Sequence, residues 1–303
     1  MGRRVHIIVN PISGSLTSRQ DVHWLQQELL RRGEQVRLNL TKRVGDGQRL
    51  ARSGRDFSEL TVVFGGDGTV TEAVNGLAGT DVPILIVPTG KENLLARELG
   101  IRRGRKRLRE LIDSTARRRL DVGQANRVHF TSIVGVGFDG QVIHRIHRIR
   151  RGHITYISYF WPIWRTFWEY RFPPLKVFAD GESICEGPCL VFIGNIRRYA
   201  IALNILHQAR CDDGLLDLCV YRCRSQYRLL WHAGCTAVRR HIKRQDVIYR
   251  RCRKIVVEGP SHVHWQRDGE FGGILPVKIQ VNPAAVEMVV PEDRKTGTTK
   301  EHE

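Results

Sequence analysis

Five residues, Gly65-Gly66-Asp67-Gly68-Thr69, constrain the fold of this chain more than any other stretch. The apolar, β-branched run Leu60-Thr61-Val62-Val63-Phe64 precedes them and predicts a buried strand. After them, Val70, Ala73, Val74 and Leu77 recur at helical spacing. The glycines therefore turn a strand into a helix. Glycine lets a backbone take positive φ and approach a ligand closely. The helix N-terminus behind it offers unpaired N–H groups and a positive dipole end, which suit phosphate. Asp67 fits such a site if a divalent cation separates it from phosphate, or if it holds donors in place. A tight turn with an N-cap Asp is the purely structural alternative.

The flanking pattern extends the strand–helix unit. Val5-His6-Ile7-Ile8-Val9 predicts a first strand, followed by the turn Asn10-Pro11-Ile12-Ser13-Gly14. Residues 21–32 predict an amphipathic helix with Val22, Leu25 and Leu29 on one face and Gly33 as its C-cap. Residues 35–40 form a second strand ending at Thr41-Lys42, and a short helix at 48–52 follows. Residues 82–87 form a fourth strand ending in Pro88-Thr89-Gly90, then a helix at 93–99 capped by Gly100. Strict alternation of this kind implies a parallel sheet covered by helices. Ligands of such sheets bind at the carboxyl ends of the strands. The segments there are 10–14, Thr41, 65–69 and 89–93, all rich in Gly, Asn, Ser or Thr. Any turn favours those residues, but four at one edge favour a nucleotide site.

The second half reads differently. Residues 102–120 are basic, with Leu108, Leu111 and Ile112 at helical spacing, and predict a solvated helix joining two domains. From Asp121 onward, short strands are predicted at 120–126, 128–136, 175–179, 189–194, 215–221, 254–258, 262–266 and 277–281. Helical stretches at 156–170 and 229–241 interrupt them. The expected domains are an α/β nucleotide-binding domain at 1–120 and a mostly β, acceptor-binding domain at 121–290. The polar stretch 291–303 is expected to be a disordered tail.

Composition narrows the function. A formal charge of +18 admits nucleic acid, an anionic membrane or a polyanionic small substrate, and 41 % hydrophobic residues exclude a disordered chain. Seven cysteines without CxxC or zinc-type spacing point to free, mostly buried thiols in a reducing cytosol. The N-terminus lacks a signal-peptide pattern. The longest apolar stretch, 154–168, is broken by Pro162 and Arg165 and is too short to span a bilayer. The dense aromatics of 156–170, preceded by Arg/His-rich 145–153, suit either a core helix or an interfacial one.

Several local motifs carry a purely structural alternative. Residues 135–140 match G-x-G-x-x-G, but in the β-rich half, outside a β-α-β unit. Gly90-Lys91 lacks the upstream glycine of a Walker A loop, Leu85 standing there, and Glu92 replaces its Ser/Thr. Asp-Gly-Glu occurs at 180–182 and 268–270, and both copies suit hairpin turns. Local chemistry does not separate them. Asp212-Asp213-Gly214 with Asp217 supplies the oxygen ligands a hard cation needs, or makes an acidic turn.

In order, these motifs resemble the diacylglycerol-kinase-type lipid kinases in their soluble bacterial form, over roughly 5–290. The family's Asn-Pro-x-x-Gly turn is matched at 10–14, its Thr by Thr41, and its Gly-Gly-Asp-Gly-Thr loop at 65–69, with Glu72 and Asn75 beyond. Its Pro-x-Gly-Thr-x-Asn loop appears as Pro88-Thr89-Gly90-Lys91-Glu92-Asn93, leading to Ala96-Arg97-Glu98-Leu99-Gly100. Asp121, Gly135 to Asp139, Asp212 to Asp217 and the second Asp-Gly-Glu match the later motifs. The sequence departs from the pattern at Lys91, Leu94, 200–202 and His207, which bears on substrate and activity. The first domain is thereby similar to NAD kinases and phosphofructokinases, and the second is β-sandwich-like.

The resemblance implies an ATP-dependent kinase acting on a lipid hydroxyl. ATP would lie across Asn10, Pro11, Ser13, Gly14, Thr41, Gly65, Gly66, Asp67, Gly68, Thr69, Glu72, Thr89, Gly90, Lys91 and Asn93. Asp67 and Asp121 would organise Mg2+ at the phosphates. Asp268 would accept the hydroxyl proton, with Glu270 as the other candidate base. A second, structural Mg2+ would be held by Asp213 and the carbonyls of Arg210 and Leu215. The expected partners are a lipid alcohol and an anionic membrane surface, from a cytoplasmic, peripherally bound state. Nucleic acid is disfavoured and a homodimer is left open. A soluble small-molecule kinase, such as an NAD kinase, would carry a second Gly/Asn-rich dinucleotide motif in the β domain, which is absent. A non-catalytic lipid- or nucleic-acid-binding protein is separated from a kinase by a transfer assay.

Overall fold

The computed structural model describes residues 2–14, 16–149, 156–199 and 203–292, in two compact units. The first comprises Met1–Leu120 with the chain from Ala285, and the second comprises Asp121–Ala284. The departures at 200–202, the basic residues 150–153 and most of the expected tail lie outside the described residues.

In the first unit the elements run β1 (Arg4–Val9), α1 (Leu16–Arg31), β2 (Gln35–Leu40), α2 (Asp46–Gly54), β3 (Leu60–Gly65), α3 (Asp67–Leu77), β4 (Ile84–Pro88), α4 (Leu94–Glu98) and α5 (Arg105–Asp113). Strands pair in parallel in the order β4-β3-β1-β2, with Val5 between Val36 and Leu60 and Val63 opposite Ile86. The inner strands β1 and β3 are buried almost throughout, so they read as continuous apolar runs, whereas β2 at the edge is not. The parallel α/β architecture expected from the alternation is present.

Two elements differ from expectation. Helix α1 begins by Leu16 rather than at 21, because only its later turns carry the core-facing Leu25 and Leu29. The basic stretch is helical only over α5, and Leu108, Leu111 and Ile112 are buried, so it packs against the unit rather than forming a solvated connector.

The second unit is antiparallel. Its elements are β5 (Arg117–Ala125), β6 (Val128–Phe130), β7 (Ile133–Val136), α6 (Phe138–Ile149), α7 (Tyr156–Glu169), β8 (Pro174–Ala179), β9 (Glu182–Gly194), β10 (Leu216–Arg222), α8 (Gln226–Ala237), β11 (Val247–Cys252), β12 (Lys254–Glu258), β13 (His264–Arg267), β14 (Glu270–Ile274) and β15 (Val277–Val289). Strand β9 serves two layers. Its first half pairs with β8, which pairs with β12, and its second half pairs with β7 and β10. Val134, Val191, Leu218 and Val220 from one layer meet Val177, Ile255, Val257 and Ile279 from the other in a buried core. This is the sandwich-like domain expected. The far face of the β7–β9–β10 layer is buried too, by Tyr170, Phe172, Ile205 and Leu206.

Strand β15 pairs with β12 through Val277 to Gln280, and then places Met288 opposite Ile84 of β4. The second compact unit ends at Ala284. Helix α6 was not anticipated. The G-x-G-x-x-G residues make the turn into it: Gly137 has φ 94°, and a Cβ at Gly140 would lie 2.2 Å from the His264 carbonyl oxygen. These glycines let α6 lie against β13, which accounts for the motif without a dinucleotide. Among the described residues, no helix is long and apolar enough to cross a membrane. All seven cysteines are free, and all but Cys235 are buried.

Candidate active site

At the carboxyl edge of the parallel sheet the structure joins the loops that the sequence placed there. Asn10 Nδ2 donates to Thr69 Oγ1 at 3.0 Å, tying the turn after β1 to the start of α3. The Ser13 and Thr89 hydroxyls are 2.9 Å apart, tying the same turn to the loop after β4. A Cβ on Gly90 would stand 2.7 Å from Gly66 Cα, so the two glycines let the loop backbones pass in contact. Asn93 closes its own loop, with Oδ1 accepting the Gly90 N–H at 3.0 Å and Nδ2 donating to the Gly90 carbonyl at 2.7 Å. Arg103, which sequence reasoning passed over, also donates to that carbonyl.

Asp67 completes the cradle. Its carboxylate accepts the N–H groups of Asn93 at 2.8 Å and Leu94 at 2.5 Å. It thus holds donors in place, one of the two roles open to it. Gly68, in the first turn of α3, is exposed and has open space where a Cβ would stand. Pro11 and Gly14 shape the turn after β1, and Lys91 is exposed on the loop after β4. Thr41 is buried, its N–H bonded to the Val9 carbonyl. Glu72 takes another place: its two oxygens accept the N–H groups of Gly45 at 2.7 Å and Gly47 at 2.8 Å.

In the second unit Asp121 is buried and occupied. Its oxygens accept the Gly214 N–H at 2.6 Å and the Ala284 N–H at 2.8 Å. It therefore anchors the acidic turn 212–214. In that turn one Asp213 oxygen accepts the Leu215 N–H at 3.1 Å and the other pairs with the Arg251 guanidinium. Arg210 reaches towards Asp212 at 3.8 Å. The oxygen donors are of the type magnesium takes, but Arg251 already neutralises Asp213. Among the described residues no three His, Cys, Asp or Glu side chains converge in a way that could hold a metal. A cation there would have to displace Arg251 from Asp213 and take the Arg210 and Leu215 carbonyls as its other ligands.

The two Asp-Gly-Glu copies are both hairpin turns with positive φ at Asp and Gly, joining β8 to β9 and β13 to β14. Their carboxylates separate them. Asp180 accepts the N–H groups of Arg253 and Lys254 at the edge of β12. Asp268 takes four bonds: from the Thr131 N–H at 2.8 Å and hydroxyl at 3.1 Å, the Ser132 N–H at 2.9 Å and the Ile133 N–H at 3.0 Å. Beneath it, Gln266 Oε1 accepts the Gly269 N–H at 2.8 Å and Nε2 donates to Asp139 at 2.7 Å. Tyr199 donates its hydroxyl to the other Asp139 oxygen. Burial raises the Asp139 carboxyl above the usual range, against those two donors. Gln266 and Thr131 carried no sequence signal, and Asp139 was visible only inside its glycine motif. Glu270 is half-buried at the start of β14.

Residues 4–125 match the family described as the diacylglycerol kinase catalytic domain, and residues 132–290 match the YegS C-terminal NAD kinase beta sandwich-like domain. The chain is similar to a diacylglycerol kinase of Mycobacterium tuberculosis, 29 % identical over 296 residues and 95 % of both chains. It is 25 % identical over 298 residues to a diacylglycerol kinase of Bacillus subtilis, covering 96 % of this chain and 98 % of that one. A solved diacylglycerol kinase structure from Bacillus anthracis str. Sterne shares the fold, with a TM-score of 0.69 at 23 % identity and coverage of 96 % and 97 %.

Proposed function

The chain belongs to the diacylglycerol-kinase-type lipid kinases, and from that premise we propose that it transfers the γ-phosphoryl group of ATP to the hydroxyl of a diacylglycerol-like or sphingoid lipid. The observation that carries this reading is the joining of the 10–14, 65–69 and 89–93 loops around the open first turn of α3.

There the triphosphate meets the N–H groups of Gly68 and Thr69 and the dipole end of α3. Asp67 repels it unless a cation intervenes, so the nucleotide enters as its magnesium complex. Magnesium accompanying ATP would supply neutralisation of the phosphate charge. Lys91 adds a point charge at the loop rim. Asp121 holds the 212–214 turn.

The lipid hydroxyl oxygen attacks the γ-phosphorus, ADP leaves, and the hydroxyl proton passes to Asp268. A carboxylate offers about four acceptor sites, and all four on Asp268 are taken. The longest of these bonds comes from the Thr131 hydroxyl, at 3.1 Å. The substrate hydroxyl replaces that donor, and the three backbone N–H groups keep the carboxylate aimed. Glu270 is the second candidate base.

The acceptor lives in a bilayer, so the enzyme meets it at the membrane surface. The charge of +18 favours anionic lipid, and Phe160, Trp161, Trp164 and Trp168 of α7 are exposed. Phe160, Trp164 and Trp168 form a continuous ridge, with ring centroids 6.2 and 5.7 Å apart.

Incubation with γ-labelled ATP, magnesium and total membrane lipid tests the reaction. The expected product is a labelled lipid. Label released only as inorganic phosphate, or transferred to a water-soluble dinucleotide, would overturn the lipid acceptor.

A further inference from the structure

Helix α8 turns an apolar stripe to solvent. Tyr227, Leu230, Trp231 and, just past its end, Val238 are 83, 58, 55 and 63 % exposed. Leu230 and Trp231 lie three and four residues after Tyr227, and Val238 seven after Trp231, so they share one face. The opposite face is fixed to the fold: His232 and Thr236 are buried, and the Thr236 hydroxyl lies 3.0 Å from that of Tyr221. The stripe is therefore not a core face left open by a loose helix. It is a second apolar surface on a helix already anchored, and contiguous exposed apolar patches mark interaction sites.

The surroundings are predominantly basic. Residues 222–245 contain seven Arg or Lys and no Asp or Glu. Arg228 and Arg244 share Asp246, and the Arg244 guanidinium lies 5.3 Å over the Trp231 ring. Arg224, Arg239, Arg240 and Lys243 are exposed around the stripe. At its first turn, Gln226 Nε2 donates to the Tyr170 carbonyl at 3.1 Å, so α8 starts beside the residue that directly follows α7.

We propose that α8 is an interfacial helix that seats on an anionic lipid surface. Tyr227, Leu230, Trp231 and Val238 enter the headgroup–acyl boundary, and the surrounding guanidinium groups meet lipid phosphates. A second copy of the chain fits poorly, because an isologous contact sets this rim of like charge against itself. Single-stranded nucleic acid fits poorly too. Leu230 and Val238 offer no stacking face, and the Trp231 ring already carries Arg244. The assignment goes beyond the α7 ridge and does not depend on which lipid is phosphorylated.

The test uses the full chain and its Leu230→Ser/Trp231→Ser and Arg239→Gln/Arg240→Gln variants. Each is sedimented with phosphatidylglycerol–phosphatidylcholine vesicles and with phosphatidylcholine vesicles, at low and high salt. Phosphorylation of detergent-dispersed lipid and sedimentation velocity are measured in parallel. The apolar variant is expected to lose about tenfold in affinity for the anionic vesicles at both salts. The basic variant should lose affinity at low salt only. Both should phosphorylate detergent-dispersed lipid at the wild-type rate. If the apolar variant fails to fold, Tyr227→Ser replaces it. Wild-type pelleting by the apolar variant overturns the proposal, whether or not the kinase reaction stands. So does a variant that pellets normally but dissociates a wild-type dimer, or that loses only affinity for oligo(dT). Absence of any labelled lipid in detergent, with vesicle binding changed as expected, overturns the kinase reading and leaves the α8 surface in place.

Discussion

Asp67 and Leu94 are joined by a hydrogen bond of 2.5 Å from the Leu94 N–H to the Asp67 carboxylate. The first residue of α3 thus closes the start of α4, and the Asn93 N–H takes the other oxygen at 2.8 Å. One side chain therefore sets the spacing of the 65–69 and 89–93 loops, and in the proposed reaction its charge would decide whether magnesium accompanies the nucleotide.

Asp67→Asn keeps one acceptor oxygen but turns an NH2 towards a backbone N–H and removes the charge. Stability should fall by only about 1 kcal/mol, measured by urea unfolding. Initial rates of transfer should fall on the order of 100-fold or more, because a preorganised charge at the phosphates is lost. Near wild-type rates would remove Asp67 from the phosphate site.

The parallel unit was legible because its information is local. A β-branched run, a glycine turn and a helical stripe sit within a dozen residues of each other, and 60–77 shows all three. The second unit was legible in class but not in detail. Strand β11 was missed because Arg250 and Arg251 interrupt it, leaving only Val247 and Cys252 buried. Helix α6 was missed although Val142 and Ile146 are buried, because its glycines and basic residues read as turns. The contacts of Asp268 were illegible in principle. Its partners at 131–133 lie more than a hundred residues away in sequence, and backbone N–H groups have no residue identity. The role of Glu72 was hidden for the same reason, since it binds the backbone of Gly45 and Gly47.

His264 gives the fold an acid-sensitive point. Its ring stacks on that of His144 at 4.0 Å, and Nδ1 lies 2.6 Å from Gln141 Oε1. Burial first, then His144 and His262, push its pKa from 6.5 down to about 4. Phe271 from β14 packs on both stacked rings, and burial first, then Arg148, His147 and Arg145 of α6, lower the His144 pKa as well. Between pH 6.5 and 4 the unfolded chain binds more protons here than the folded one. The stabilisation is therefore complete above 6.5 and is lost as pH falls through that window. The urea midpoint should drop between pH 7 and pH 5, and His264→Gln should flatten the drop. Parallel slopes in the two proteins would exclude His264 as the source.

The α7 ridge should supply a salt-resistant part of membrane binding. Electrostatic attraction is worth about 1 kcal/mol per basic residue near an anionic surface and is screened by salt. Ring insertion is not. Trp164→Ala removes the centre of the Phe160–Trp164–Trp168 ridge. Sedimentation with anionic vesicles should show the high-salt bound fraction reduced, and binding to neutral vesicles should be weak in both proteins. An unchanged high-salt fraction would assign α7 no insertion. If the wild-type protein stays in the supernatant at low salt, the peripheral-membrane reading fails.

Asp268 and Asp180 offer the sharpest comparison, because their turns are alike and their partners are not. Asp180 binds the edge of β12, so Asp180→Asn should cost stability of about 1 kcal/mol and leave turnover intact. Asp268→Asn should abolish turnover while nucleotide binding, read by a fluorescent ATP analogue, persists. Loss of the four-donor clasp alone could also displace the turn, so Thr131→Val separates the two explanations. It removes only the hydroxyl donor that the substrate hydroxyl is proposed to replace, and leaves the three backbone bonds in place. Transfer should therefore persist in Thr131→Val, within about tenfold of wild type, because the donor removed is the one the substrate hydroxyl displaces. If Thr131→Val is as inactive as Asp268→Asn, the hydroxyl itself carries the proton, and Asp268 acts by orienting it. Equal, mild effects from Asp268→Asn and Asp180→Asn would mean that neither turn holds the base, and Glu270→Gln would then be the variant expected to abolish transfer.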